Sequence, residues 1–140
     1  MLNRLQAAFE RIRTSVPAEG SRAATYLRTY PALLAIASSP GVDDSTRFLQ
    51  LATAAYGWMP RIVRLDPEYL DSAIGAFRES REATEANWPN LLVDQVAACL
   101  HSVVGASKLF HFANPTVFPI WDKKVERFWL SREPSQHHMA

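Results

Sequence analysis

An all-α fold, a single-domain orthogonal bundle of about five to seven helices, is what three features of the sequence predict. Apolar residues recur at intervals of three and four along most of the chain. Prolines and capping residues punctuate those stretches at helix-sized lengths, and no segment alternates polar and apolar residues over the span of a strand. The 140 residues are enough for one core. We expect that domain over residues 1–130, followed by a polar, flexible tail at 131–140 whose His137 and His138 are not a metal site.

Leu2, Leu5, Phe9, Ile12 and Val16 form one apolar stripe on a first helix that ends before Pro17. Ser21 is the expected N-cap of a second helix through Leu27, and Pro31 either kinks it or opens a short helix reaching Ser38. The SSPGVDD stretch reads as a turn, after which Asp43 or Asp44 caps a third helix. Its expected buried face is Phe48, Leu49, Ala52 and Tyr56, and it stops near Pro60. Asp66, Pro67 and Glu68 signal another start, because a carboxylate caps free amides and proline loses no needed hydrogen bond at the first helical position. Leu70, Ile74 and Phe77 then face inward.

The polar run RESREATEAN, 78–87, reads as a solvated helix end and linker without special chemistry. From Pro89 the chain is at its most apolar, and Leu92, Val96, Cys99, Leu100 and Val103 predict a central helix over 89–104. Gly105 interrupts it, leaving either a weak point in one long helix or a tight hairpin between two. SKLFHFA resumes helical spacing, with Lys108 and His111 on one face and Leu109 and Phe112 on another. Pro115 and Pro119 forbid helix between them and predict an extended crossing that tucks Val117, Phe118 and Ile120 into the core. A last helix starts around Trp121 and Asp122 and buries Val125, Phe128 and Trp129, with Lys123, Lys124 and Arg127 outside.

Composition narrows the function only by exclusion. A formal charge of +1 and an isoelectric point near 8.0 advertise neither nucleic-acid nor membrane binding by the chain as a whole, so any such surface is local. The lone Cys99 excludes an internal disulfide and a cysteine-rich zinc site, and reads as a small core residue. No metal-ligand spacing or cofactor signature is present, and the longest apolar runs fall far short of the roughly 20 residues a bilayer span needs. A cytoplasmic, reduced protein without a membrane partner is the expectation.

The chemistry-bearing residues gather in SKLFHFANPTVFPIWDKK, 107–124. Asp122 stands where a loop meets a helix start. It is either an N-cap or a catalytic, ligand-orienting carboxylate approached by Lys108 and His111 from the preceding helix. The run from Gly105 to Phe128 resembles the hairpin, helix, proline loop and aspartate of the helix-hairpin-helix DNA glycosylase superfamily. It is similar also to a Lys-x-x-His-Phe and Phe-Pro-Ile-Trp-Asp stretch of small uncharacterised bacterial proteins. The glycosylase resemblance implies Lys108 as an amine nucleophile and Asp122 as its carboxylate. It also implies base stacking by a tryptophan such as Trp121, phosphate contacts from Lys123, Lys124 and Arg127, and nucleic acid as the ligand, while His111, beside Lys108 on its helix, joins Lys108 and Asp122 in a small polar ligand site. The competing expectation is a nonenzymatic module for a protein partner, of a small regulatory or toxin-antitoxin type system, with any exposed tryptophan among Trp58, Trp88, Trp121 and Trp129 as anchor.

Overall fold

In the computed structural model, which describes residues 2–130, the fold is all-α, with seven α-helices and one short 3-10 turn and no strand among those residues. The expected tail, with His137 and His138, lies outside the described residues. The chain divides into two compact units, Met1–Pro31 and Ala32–Ala140.

The first unit contains α1, Leu2–Thr14, and the beginning of α2, Arg22–Ser38. No residue of α1 is buried, and its five stripe residues, Val16 beyond the helix end included, keep between 38% and 92% of their surface. Ser21 caps α2 as its sequence position predicts, its Oγ accepting the Ala24 amide at 3.2 Å. Pro31 does not end α2, which runs on to Ser38.

The second unit is built around α3 (Asp44–Trp58), α4 (Leu70–Ser80), α5 (Val93–Cys99) and α6 (Val103–Ala113). Helices α4 and α6 pack on each other, and each also packs on α3 and α5. Their shared interior holds Phe48, Leu51, Phe77, Val96, Cys99, Leu109 and Phe112. Phe48 meets Phe77 edge-on with ring centroids 5.7 Å apart, and Trp58 meets Phe112 at 5.4 Å. On α3, Leu49 is exposed and Leu51 is buried in its place, because the inward face includes Arg47, Leu51 and Ala55 between the expected Phe48, Ala52 and Tyr56. Asp43 is the cap, its carboxylate accepting the Thr46 amide at 2.9 Å and hydroxyl at 2.6 Å. Those two bonds, hydroxyl first, hold its pKa below the ordinary value.

Three expectations are corrected. Asp66 does signal a turn, taking the Glu68 amide on Oδ1 at 3.0 Å, but α4 starts only at Leu70. The run 78–87 is not merely a solvated linker: Ser80 and Ala83 are buried, and Arg81 pairs with Asp44 at 3.1 Å. Asp44 also binds Arg47 at 2.9 Å, so one carboxylate ties α3 to the end of α4. Finally, no helix runs from 89 to 104. A 3-10 turn at Trp88–Asn90 precedes the seven-residue α5, and the chain reverses through Leu100, His101 and Ser102, leaving Leu92 and Val103 exposed. His101 adopts a left-handed φ of 48°, which ends α5, and Ser102 starts α6 by accepting the Gly105 amide on Oγ at 2.9 Å. The break therefore falls three residues before Gly105.

Candidate functional site

Gly105 is a packing residue. A Cβ placed there would lie 2.6 Å from the Tyr56 hydroxyl, so only glycine lets the ring of Tyr56 lie against α6. The same hydroxyl donates to the Leu100 carbonyl at 2.9 Å, fastening the α5–α6 turn to α3. Burial of the phenol pushes its pKa up. Just beyond α3, the Arg61 amide donates to the Tyr56 carbonyl at 3.0 Å, keeping residue 61 beside this junction.

From α6 outward, three side chains fix the proline loop. Ser107 Oγ accepts the Trp121 amide at 3.1 Å and shares its proton between the Trp121 and Val104 carbonyls, each at 2.9 Å. One turn later, His111 Nδ1 lies 2.8 Å from the Phe118 carbonyl; because a carbonyl only accepts, Nδ1 carries the proton. At the end of α6, buried Asn114 donates from Nδ2 to the carbonyls of Ser80 and Ala83 at 3.1 and 2.9 Å. Its Oδ1 accepts the Thr116 hydroxyl at 2.6 Å. Phe118 is buried against Phe110, with centroids 5.2 Å apart, whereas Val117, Ile120 and Trp121 are half-buried.

The clasp delivers Asp122 to the start of α7, Lys123–Leu130. Its Oδ1 accepts the amides of Lys124 and Val125 at 2.8 and 2.9 Å, so Asp122 is an N-cap. The same carboxylate bears electrostatically on Lys108 across the gap between α6 and α7. Lys108 is half-buried, and among the described residues no hydrogen bond or ion pair holds its amine. Desolvation lowers its pKa from the ordinary 10.5, with Asp122 opposing that shift and Arg61 adding to it. Burial thus favours the neutral amine relative to an ordinary lysine, and a neutral amine is a nucleophile.

Asp122 and Arg61 both bear electrostatically on the Lys108 amine, and Arg61 was missed from the sequence because residue 61 lies 47 positions from Lys108 with no motif to link them. Ser107 was missed for a different reason: nothing in its neighbours marks a serine that bridges to residue 121. His111 serves the clasp through Nδ1. Lys123, Lys124 and Arg127 are exposed on α7 as expected. The expected core of that helix is corrected: Val125 and Trp129 keep 37% and 47% of their surface, Phe128 is half-buried, and the buried residue is Glu126. In a helix of only eight residues the side that turns inward is set by where the clasp leaves its first turn, which periodicity does not specify.

A cleft of about 510 Å³ lies elsewhere, at the end of α4, lined by Arg78, Glu79, Arg81 and Glu82 together with Asn87 and Asn90. None of the sequence-predicted site residues lines it. Among the described residues no group of metal ligands forms and no helix is long and apolar enough to cross a membrane. Comparison with protein-family models, curated proteins and solved structures finds no match to this chain.

Proposed function

We propose that the protein binds nucleic acid and that Lys108 is its reacting amine, attacking the sugar of a damaged or abasic nucleotide. The observation that carries this reading is the half-buried Lys108 amine, which no hydrogen bond from the described residues holds and on which the charges of Asp122 and Arg61 bear. A lysine that merely decorated the surface would remain solvated, and a structural one would be paired. The resemblance of 105–128 to helix-hairpin-helix glycosylases supplies the substrate class.

Neutral Lys108 Nζ adds to the aldehyde carbon C1′ of the opened sugar, a proton shifts from nitrogen to oxygen, and a second proton taken up from solvent lets the hydroxyl leave as water, which leaves a protonated imine. The Asp122 carboxylate, fixed by two amide bonds, stabilises that positive charge. Lys123, Lys124 and Arg127 engage the phosphates, which makes binding steeply salt-dependent. Borohydride reduction on DNA carrying an abasic site tests the reading directly. A covalent adduct that disappears in Lys108→Gln, with salt-sensitive DNA binding retained, is expected; absence of an adduct from the wild-type chain ends the amine reading.

A second reading, the nonenzymatic module for a protein partner, draws on Trp88 and Trp129, which keep 44% and 47% of their surface. It predicts no adduct and no DNA binding, with partner capture lost in Trp88→Ala or Trp129→Ala.

A further inference from the structure

Leu2, Leu5, Phe9 and Ile12 of α1 follow one another at intervals of three, four and three, and Val16 continues the alternation just past the helix end. None of the helix is buried. A mean interval of about 3.5 is the repeat of a two-helix seam, whereas a helix laid on a globular core carries a broader apolar face. The stripe here is narrow. Gln6, Ala8 and Arg13 flank it, and Asn3, Arg4, Glu10 and Arg11 occupy the remaining sides.

We propose that α1 is a pairing helix through which two copies of this chain associate. The seam is complementary to itself. With the two helices antiparallel, Leu2 of one copy meets Ile12 of the other and Leu5 meets Phe9, then the same pairs recur in reverse. Every layer is apolar, and the residues nearest the centre of the seam's edges, Gln6 and Ala8, bring no like charges together. An identical helix therefore fills the seam without any polar mismatch. A lipid surface fits less well, since helices that lie in an interface carry a wider apolar face, usually with tryptophan at its border. No tryptophan lies in residues 1–20.

Sedimentation velocity on the full chain over a hundredfold range of concentration tests the proposal. The expected result is a monomer–dimer equilibrium that shifts with concentration, is abolished by Phe9→Asp, and survives Ala7→Asp on the far side of the same helix. Thermal unfolding followed by circular dichroism checks that Phe9→Asp leaves the second unit folded. A wild-type chain monomeric throughout, or a dimer indifferent to Phe9→Asp, overturns the proposal. So does a monomer that floats with anionic phosphatidylserine vesicles and loses this in Phe9→Asp, because the stripe would then be a lipid face.

Discussion

Lys108 shows how a single position couples stability to chemistry. Desolvation disfavours its cation, so the folded chain holds this proton less tightly than the unfolded chain does. The sign follows: the penalty is fully present below the lowered folded pKa and disappears as pH rises toward the ordinary 10.5. Lys108→Met is therefore expected to raise the melting temperature at neutral pH, with the gain shrinking as pH climbs toward that value; a pH-independent difference between the two melting curves contradicts it. The neighbours act in opposite directions on the amine. Arg61→Met is expected to move the pH of half-maximal adduct formation upward, and Asp122→Asn downward, in borohydride trapping across a pH series. Asparagine caps a helix about as well as aspartate, so Asp122→Asn should leave stability nearly unchanged, whereas Asp122→Ala should cost about 1 kcal/mol in denaturant titration. Gly105 carries the opposite lesson. Alanine usually stabilises a helix interior by about 1 kcal/mol over glycine, but its Cβ would strike the anchored Tyr56 ring, and overpacking costs typically 1–3 kcal/mol. A net fall in melting temperature for Gly105→Ala is expected, and a rise would show that the ring turns aside freely.

At the scale of elements, the proline loop is held at both ends by polar bonds and in the middle by apolar packing. Asn114 donates to two carbonyls at the end of α4 and the following turn, so Asn114→Ala strips the Ala83 carbonyl of its donor in a buried place, while the Ser80 carbonyl keeps the Ala83 amide. We expect a loss of about 2 kcal/mol in chemical denaturation. Phe118→Ala removes the loop's buried ring from Phe110 and should cost about 3 kcal/mol or more through the cavity left behind. An unchanged denaturation midpoint for either variant would mean the loop is not clamped. Because the clamp sets where α7 begins, both variants should also weaken adduct formation beyond their effect on stability, through displacement of Asp122.

For the molecule as a whole, Cys99 reports whether the core of the second unit opens. It is fully buried on α5, and desolvation raises its thiol pKa, so both access and thiolate are denied to reagents. Labelling by an aromatic disulfide reagent is expected to stay negligible in native buffer and to rise with denaturant in step with loss of helical circular dichroism. Rapid labelling of the native chain would show that α5 opens locally on its own.

Much of this architecture was legible without coordinates. Asp43 and Ser21 announce their helices because capping is a local event between a side chain and amides three residues on. Pro115 likewise ends α6, although the chain turns over 115–117 instead of running extended across the whole interval between the prolines, and the stripe on α1 is periodic whatever it touches. By itself, then, the sequence determined an all-α chain, most helix ends, and the gathering of unusual residues at 107–124. Tertiary structure decided the rest, because the deciding forces act between residues far apart in the chain. The reversal at Leu100–Ser102 is fastened by a tyrosine 44 positions away, and the polar run 78–87 is buried in part by an asparagine 34 and 31 positions beyond its contacts. The union of Lys108 with Asp122 and Arg61 is of the same kind: a pKa answers to burial and charge in space, and local spacing carries no record of either.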